Sequence, residues 1–350
     1  MQKWIVGIVS IIGAVALASM VAWSGSDQGV LYDGMSVFVW CGVFAFAVQW
    51  LIFIHAWLAK TEAYFDLTGS LTYIVVVVAA AVLSGADDIR SLTITGLIVI
   101  WALRLGPFLF FRIKRAGEDR RFRSIKASFP TFLMTWTLQG AWVYITASAA
   151  LGSITSSSTV GLDTAFILGT ALWVIGFVIE VIADNQKTAF RSAPENNGKF
   201  INTGLWAWSR HPNYFGEILL WVGIAIIAYP TLVGNQIYLM FSPLWVVFLL
   251  TAVSGVRMLE ARGRKQWGED PEYQSFIGRN KTKKLPLVYL FIVDGEIKYI
   301  GETRQGYSRP LSYHKNKVMK RQNEAIHRST ASGQKVEVYA LEVPSEIAVV

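Results

Sequence analysis

The sequence predicts an all-α polytopic membrane helical bundle of about eight transmembrane helices, followed by a small soluble α/β domain. Hydrophobic residues make up 53% of the 350 positions and charged residues only 16%, whereas a soluble domain carries about a quarter charged residues. Residues 281–350 lack long apolar runs and hold 12 Lys and Arg against seven Asp and Glu. We therefore expect a membrane domain over 1–280 and a separate soluble domain over 281–350.

Eight segments are apolar enough to cross a bilayer, which requires a helix of about 20 residues. They are 4–23, 36–59, 68–84, 92–111, 129–152, 163–183, 214–231 and 237–256. The first is too long for the apolar core of a signal peptide and has no small-residue cleavage site. We expect it to remain in the protein as the first transmembrane helix.

Lys and Arg alternate between the connecting segments, as the positive-inside rule predicts for cytoplasmic loops. Seven lie in 112–126 and four in 184–213, whereas 24–35, 153–162 and 232–236 have none. This alternation predicts that both termini are cytoplasmic. It also places "GLWAWSRHPNYFGE" (204–217) on the cytoplasmic side, where soluble cofactors can reach it.

Two polar pairs flank the loop between the sixth and seventh predicted spans. Glu180 and Asp184 end one span, and Asn213 and Glu217 begin the next, so each pair has i, i+4 spacing and shares one helix face. The same region adds Lys187, Arg191, Arg210, His211 and Tyr214. Arg and Lys suit phosphate oxygens, and carboxylates and Asn suit ribose hydroxyls or an amide. The combination predicts a nucleotide cofactor site at the cytoplasmic mouth of the bundle.

Several other polar and aromatic residues are expected to have structural roles. Within the spans, Gln49, His55 and Gln139 are placed to form hydrogen bonds between helices. Trp206 and Trp208 are expected to be interfacial anchors. Pro212 fits the first position of a helix, where its missing N–H is not needed.

The stretches "IEVIADNQKTAF" and "GKFINTGLWAWSRHPNYFGEILLWVG" resemble bacterial membrane proteins related to steroid 5α-reductase. The resemblance covers residues 30–280 and includes "WALRLGPFLFFRIKRAGEDRRF" and "SPLWVVFLLTAVSGVRMLE". The wider superfamily also contains sterol C14-reductases and isoprenylcysteine carboxyl methyltransferases. The resemblance implies a membrane oxidoreductase of a bacterial cytoplasmic membrane. It would bind NADPH from the cytoplasm and reduce the C=C bond of a lipid-like steroid or enone in the bilayer.

The residues that match the reductase motifs identify the positions expected to bind the cofactor. Asp184, Arg191, Asn213 and Glu217 fall where reductases hold the cofactor or line its pocket, and Arg210, His211 and Tyr214 lie in the same segment. Arg104 matches a reductase arginine, but the tyrosine that reductases carry three residues earlier is Trp101 here. The acid that polarises the substrate carbonyl is therefore open among three candidates, namely Tyr64, Tyr73 and Tyr144.

The methyltransferase branch of the superfamily gives an alternative reading. Those enzymes share the Arg-His-Pro core and carry a pair of glutamates further along the chain. Here "RMLEARGRKQWGEDPEYQSF" supplies Glu260 alone. The alternative cofactor is S-adenosylmethionine, and a non-catalytic lipid-binding scaffold is a further alternative.

The tail contains a predicted β-hairpin, in which "LVYLFIV" and "IKYIGE" are joined through Asp294 and Gly295. It resembles the GIY-YIG nuclease domain. The resemblance assigns Tyr289, Tyr299 and Arg309 to phosphate chemistry and Glu346 to a divalent metal, with nucleic acid as the partner. A truncated or degenerate remnant is the alternative, and we expect no DNA cleavage by the tail.

Overall fold

The computed structural model describes residues 2–119, 121–253, 255–278, 287–293, 296–303 and 336–342, the last three ranges as backbone strands. The described chain forms two compact units, Met1–Ala261 and Arg262–Val350. The predicted boundary between residues 280 and 281 remains a prediction.

Most of the described chain is helical. The α-helices are α1 Gln2–Gly25, α2 Val37–Leu58, α3 Phe65–Ser84, α4 Ile89–Ala116, α5 Phe122–Ile125, α6 Phe129–Thr146, α7 Ser148–Ile154, α8 Thr164–Ser192, α9 Leu205–Trp208, α10 Pro212–Ala228, α11 Ser242–Phe248, α12 Val256–Trp267 and α13 Pro271–Gly278. A two-stranded hairpin, β1 Leu31–Tyr32 with β2 Met35–Ser36, precedes α2.

Seven helical segments in the described residues are long and apolar enough to cross a membrane, one fewer than predicted. They are α1, α2, α3, α4, α8, Pro212–Thr231 and Gly234–Trp267. The eighth predicted segment, 129–152, folds as α6 followed directly by α7. Thr, Gln and Pro residues make α6 less apolar than the other spans, although Phe132 and Trp136 are fully buried. The bundle of apolar helices confirms the predicted fold class, and the chain is an integral membrane protein.

The predicted span 237–256 is not one regular helix. A 3₁₀-helix over Gly234–Phe241, the short α11 and a π-helical turn over Leu249–Val253 follow one another before α12 begins. Such changes of helical pitch bend the chain and redirect its side chains.

Helix α8 continues nine residues beyond the predicted end at 183. Its last turns carry "NQKTAFRS", and the helix stops at Ser192 because Ala193 precedes Pro194 and adopts extended backbone. Lys187 and Arg191 therefore lie on a helix rather than in a loop. The predicted start of the next span is more accurate, since α10 begins at Pro212.

Helices α8 and α10 pack antiparallel with backbone against backbone. Two glycine pairs make this approach possible, Gly169 opposite Gly223 and Gly176 opposite Gly216. A Cβ at Gly176 would lie 2.6 Å from the Gly216 carbonyl oxygen, and one at Gly223 would lie 2.5 Å from the Gly169 oxygen. The contact brings the polar end of α8 against the polar start of α10.

A fully buried arginine connects several segments at the other end of α10. Arg90, near the start of α4, donates from Nε to Val160 O (3.2 Å), from NH1 to Ile227 O (2.5 Å) and from NH2 to Gly161 O (2.7 Å). Its NH2 also lies 3.0 Å from Asp163, the N-cap of α8. These bonds satisfy a charge that would otherwise be costly to bury.

The described part of the tail contains three strands, β3 Leu287–Val293, β4 Glu296–Thr303 and β5 Val336–Glu342. They form an antiparallel sheet in the order β4-β3-β5. The pairing of β3 with β4 confirms the predicted hairpin. The described residues after 278 contain no helix, so the structure does not support the expected α/β domain.

Candidate functional site

The polar centre of the bundle is an ion-pair network on α4 and α8. Arg104 donates from NH1 to Glu180 Oε1 (2.9 Å) and from NH2 to Asp184 Oδ2 (2.7 Å), and Trp101 donates its indole N–H to Glu180 Oε2 (3.1 Å). Both carboxylates are buried. Glu180 and Asp184 share one helix face, as predicted, and one guanidinium bridges them.

Helix α10 completes this network. Asn213 donates from its amide to Asp184 Oδ1 at 3.3 Å. Glu217, one turn further, lies within electrostatic range of Glu180 and Asp184 but makes no hydrogen bond or ion pair to any described residue. The i, i+4 faces predicted for α8 and α10 therefore meet.

An aromatic layer lies one turn deeper than this polar ring. On α4 Trp101 precedes Arg104, and on α10 Trp221 follows Glu217. The rings of Trp101 and Trp221 meet edge to face with centroids 5.2 Å apart, and Tyr73 of α3 contacts both at 5.1 and 5.5 Å. All three are at most 5% exposed. The site therefore changes from polar to aromatic with depth.

The Arg-His-Pro segment is held by a glutamate from α12. Glu260 accepts from Arg210 NH1 at 2.6 Å, and its other oxygen lies 3.1 Å from His211 Nε2. The His211 ring stacks on Tyr214 with centroids 5.6 Å apart. In the sequence, Glu260 bears only on the methyltransferase alternative. Its spacing from Arg210 does not predict that the two residues form an ion pair.

The contacts of His211 determine which ring nitrogen carries the proton. Burial lowers the pKa of His211, an effect that Glu260 partly opposes, and so favours the neutral ring. A carboxylate can only accept, so Nε2 must carry the hydrogen and Nδ1 is left as an acceptor. Nδ1 is buried without a partner among the described residues. It is therefore suited to a ligand hydroxyl or amino group.

Three cations gather beside this segment. Lys187 and Arg191 near the end of α8 lie within electrostatic range of each other and of Arg112 on α4. The Lys187 ammonium lies over the Trp206 ring, 4.5 Å from its centroid, and Arg112 has one distant carboxylate, Asp66, at 3.9 Å. Arg191 is exposed. Their mutual repulsion favours an anion between them.

The sequence predicts that Trp206 is an anchor in the membrane interface, but the structure places it inside the protein. It is buried and donates its indole N–H to Ala183 O at 2.9 Å, and Gln186 accepts from the Leu205 N–H at 2.9 Å. These bonds fasten α9 to α8 beside the polar network. Trp208 is 90% exposed, as an anchor would be.

Two of the tyrosines proposed as catalytic acids lie elsewhere. Tyr64 precedes α3 and packs against Phe110 and His55, and the buried Tyr144 donates its hydroxyl to Phe38 O at 3.1 Å. Tyr73 alone among the three contacts Trp101. Gln49 and Gln139 bond to α3 as expected, through Thr72 Oγ1 and Phe65 O.

A further acidic residue escaped the sequence analysis. Glu62 is 4% exposed and accepts from Asp119 N at 3.1 Å and from Lys126 Nζ at 2.5 Å. It fixes the basic segment after α4 to the start of α3. A lone glutamate between two apolar runs gives no sequence signal for such a partner.

The nuclease candidates are only partly within the described residues. Tyr289 pairs with Gly301, and Tyr299 pairs with Phe291, on adjacent strands. Arg309 and Glu346 lie outside the described residues. Among the residues that are described, no group of His, Cys, Asp and Glu is arranged to hold a metal ion.

Residues 49–280 match the family described as "Protein of unknown function (DUF1295)". The chain belongs to this family. The resemblance to the steroid 5α-reductase group is confirmed, whereas the match ends at residue 280 and gives the nuclease resemblance no support.

Curated relatives share one name, 3-oxo-5-alpha-steroid 4-dehydrogenase 1. The mouse protein (Mus musculus) is 28% identical over 172 residues, which is 47% of this chain and 60% of that protein. The rat protein (Rattus norvegicus) is 26% identical over 172 residues, 47% of this chain and 59% of its own length. The bovine protein (Bos taurus) is 36% identical over 64 residues, 18% of this chain and 25% of its own. The chain thus spans about 60% of the length of the rodent relatives. No solved structure matches the chain.

Proposed function

We propose that this protein is an NADPH-dependent reductase of a C=C bond conjugated to a ketone in a steroid-like or other lipid-like substrate. The observation that carries the proposal is the buried Arg104–Glu180–Asp184–Asn213 network, which lies between a cationic rim and an aromatic interior. A polar nucleotide suits the rim, and an apolar substrate suits the interior.

The relatives' name supports this chemistry. A 4-dehydrogenation of a 3-oxo-5α-steroid removes a proton from the carbon next to the ketone and a hydride from the carbon beyond it, the hydride passing to an oxidised acceptor, and leaves a C=C bond conjugated to the ketone. The reverse direction is reduction of an enone. The match covers part of those relatives, so the activity is proposed for this chain on that support and on its own site.

The residues at the mouth fit a phosphorylated dinucleotide. Lys187, Arg191 and Arg112 are placed for phosphate oxygens, since each has an incomplete set of partners. His211 Nδ1 is a buried acceptor for a hydroxyl or amino group. Asp184 and Asn213 offer further hydrogen-bonding groups. When bound, NADPH would supply the hydride.

The deeper layer has a different task. Trp101, Trp221 and Tyr73 form an apolar wall next to the carboxylates, so water is excluded where a hydride would be transferred. Trp101 is not an acid. Its indole N–H holds Glu180, which in turn orients Arg104.

We place the cofactor mouth at the cytoplasmic face of a bacterial inner membrane, with both termini cytoplasmic. The excess of Lys and Arg around the mouth supports this orientation. The substrate would enter from the bilayer, because the helices around the site expose apolar side chains outward.

Equilibrium binding to the full chain in lipid nanodiscs tests the cofactor assignment. NADPH should bind, and Arg191→Ala should weaken it about tenfold to a hundredfold, since a hydrogen bond to a charged group contributes about 1.5–3 kcal/mol. Arg123→Ala is the matched control, because Arg123 is an exposed arginine paired with Glu118 in the basic segment after α4. S-adenosylmethionine is measured in parallel. Binding of that compound without NADPH would establish the methyltransferase alternative, and binding of neither would favour a scaffold.

A further inference from the structure

A row of aromatic rings crosses the start of α6 and links it to α1 and α2. The ring centroids of Trp4 and Phe129 lie 6.1 Å apart, and those of Phe129 and Trp57 lie 5.1 Å apart. Gly7 allows α1 to approach α6, because a Cβ there would lie 3.0 Å from Pro130 O. Trp4 is 53% exposed, so the row is open to the surroundings of the bundle.

A lysine is held over the α2 end of this row. The Lys60 ammonium lies 3.1 Å from the centroid of the Trp57 ring. The Lys60 backbone has a φ of 52°, just after α2, where Thr61 N donates to Ala56 O at 3.0 Å. Helices that end in this way usually carry glycine at that position, because a Cβ strains the left-handed backbone. The chain keeps a lysine there, which indicates that its side chain has a use.

A second lysine lies at the α1 end of the row. Lys3 shares one face of α1 with Gly7 at i, i+4 spacing and comes one turn before the contact with Pro130. Lys3 and Lys60 are both exposed. Neither forms an ion pair with a residue that the structure describes. Two positive charges without a counter-charge therefore border the same aromatic row.

The acid closest in sequence to Lys60 cannot supply that counter-charge. Glu62 is buried and already accepts from Asp119 N at 3.1 Å and from Lys126 Nζ at 2.5 Å. Other basic side chains at this end of the bundle differ from Lys3 and Lys60. Some have an acidic partner, namely Arg121 with Asp119, Arg123 with Glu118 and Lys126 with Glu62.

We propose that Lys3 and Lys60 form a site for the phosphate of an anionic phospholipid. Ammonium groups donate charge-assisted hydrogen bonds to phosphate oxygens, and basic residues between transmembrane helices bind anionic lipid headgroups. Tryptophans at helix ends lie at the depth of the headgroups, which is where Trp4 and Trp57 place the two lysines. The site thus matches a membrane lipid in charge and in depth.

The surface below Lys60 suits the rest of the lipid. Leu51, Ile54 and Leu58 follow one another along one face of α2 and are 67%, 56% and 75% exposed. Their spacing of three and four residues gives a continuous apolar strip. An acyl chain covers such a strip once the phosphate is held above it.

The lipid has a structural consequence for α1. Of the seven segments long enough to cross a membrane, α1 has the smallest share of buried residues, so few protein contacts hold it. One phosphate bound by Lys3 and Lys60 fastens the start of α1 to the end of α2, and a ligand of the folded state stabilises that state. This role is independent of the proposed reductase function.

Lipid titration of the full chain in mixed micelles, followed by native mass spectrometry, tests the site. The probes are phosphatidylglycerol, which is anionic, and phosphatidylcholine, which carries a phosphate without net charge. We expect one tightly bound phosphatidylglycerol per chain, preferred about 30-fold, because each lysine near an anionic headgroup contributes a factor of about five. Lys3→Gln and Lys60→Gln should each lower the preference about fivefold, and the double variant should abolish it.

Lys114→Gln is the matched control, because Lys114 is an exposed lysine at the same end of the bundle, in the last turn of α4. It should keep the full preference. Thermal unfolding on the same samples shows that each variant is folded. Phosphatidylglycerol should raise the Tm of the wild type and of Lys114→Gln but not that of the double variant.

The remaining outcomes would overturn the site. Equal loss of preference in Lys114→Gln, or lipid binding that does not saturate at one molecule per chain, would show a diffuse attraction to surface charge. Absence of a preference in the wild type would remove the site altogether. Inorganic phosphate is added as a separate arm, in which the lipid should stay bound. Displacement of the lipid by inorganic phosphate would assign the lysines to a soluble anion instead.

Discussion

The glycine contacts between α8 and α10 give the sharpest structural prediction. At Gly176 a Cβ would lie 2.6 Å from both Gly216 O and Leu220 N, which are backbone atoms that cannot rotate away. The change Gly176→Ala therefore forces the two helices apart. Gly96→Ala on α4 is the control, because its Cβ would meet nothing within 4 Å.

The size of the effect follows from this distance. Ordinary van der Waals contact begins at 3.4 Å, so the helices must separate by roughly 0.8 Å, and overpacking of this kind costs about 1–3 kcal/mol. The Asn213–Asp184 hydrogen bond is already 3.3 Å long and would be lost at the greater separation. The expected results are a fall in Tm of roughly 2–12 °C and a decrease in NADPH affinity of about tenfold.

Two assays on the same preparation check this prediction. Thermal unfolding in detergent reports the helix contact, and equilibrium dialysis reports NADPH affinity. Gly96→Ala should leave affinity unchanged and alter stability by at most about 1 kcal/mol in the favourable direction. Equal behaviour of Gly176→Ala and Gly96→Ala would refute the inference that the glycines set the site geometry.

Three further predictions concern other parts of the bundle. Arg90→Met should destabilise the protein by about 3–5 kcal/mol in thermal unfolding, since several buried carbonyl oxygens lose their hydrogen-bond donor. Full stability of Arg90→Lys would contradict the role of the guanidinium group. Burial lowers the pKa of His211 below its ordinary value of 6.5, so its contribution to stability is complete above pH 6.5 and is lost as pH falls towards the folded-state pKa. Tm measured from about pH 7.5 to 5.5 should show this loss, and His211→Gln should remove it. Trp206→Phe should cost about 1 kcal/mol through its hydrogen bond to Ala183, while Trp208→Phe changes nothing, and equal Tm values for the two variants would contradict the buried position of Trp206.

The helices of the membrane domain were predictable because apolar run length is a local property. Capping was predictable for the same reason, as Pro212 shows. The end of α8 was not, because the apolar pattern stops at Ala183 while the backbone remains helical until Pro194 intervenes. Segment 129–152 was predicted as one span, but it folds as α6 followed by α7. Its aromatic side chains are buried inside the bundle, where a less apolar helix is tolerated.

The candidate site was predictable as two helix faces but not as a network. Spacing placed Asp184 with Glu180 and Asn213 with Glu217, and the structure brings these faces together. The pairing of Arg104 with both carboxylates depends on how α4 packs against α8, which no local pattern encodes. Asp184 bonds to Asn213 across the loop and also to Arg104. Arg191 lies two turns further along α8.

Isotope transfer from the nicotinamide ring to the substrate distinguishes a reductase from the alternatives. NADPH carrying deuterium at the transferable position of its nicotinamide ring is incubated with nanodisc-embedded protein and a 3-oxo-4-ene steroid, and the products are analysed by mass spectrometry. We expect a saturated ketone with one deuterium at the β carbon, with its yield strongly reduced in Asp184→Ala and unchanged in Arg123→Ala. A methylated product with S-adenosylmethionine, or a saturated product without deuterium, would contradict this expectation.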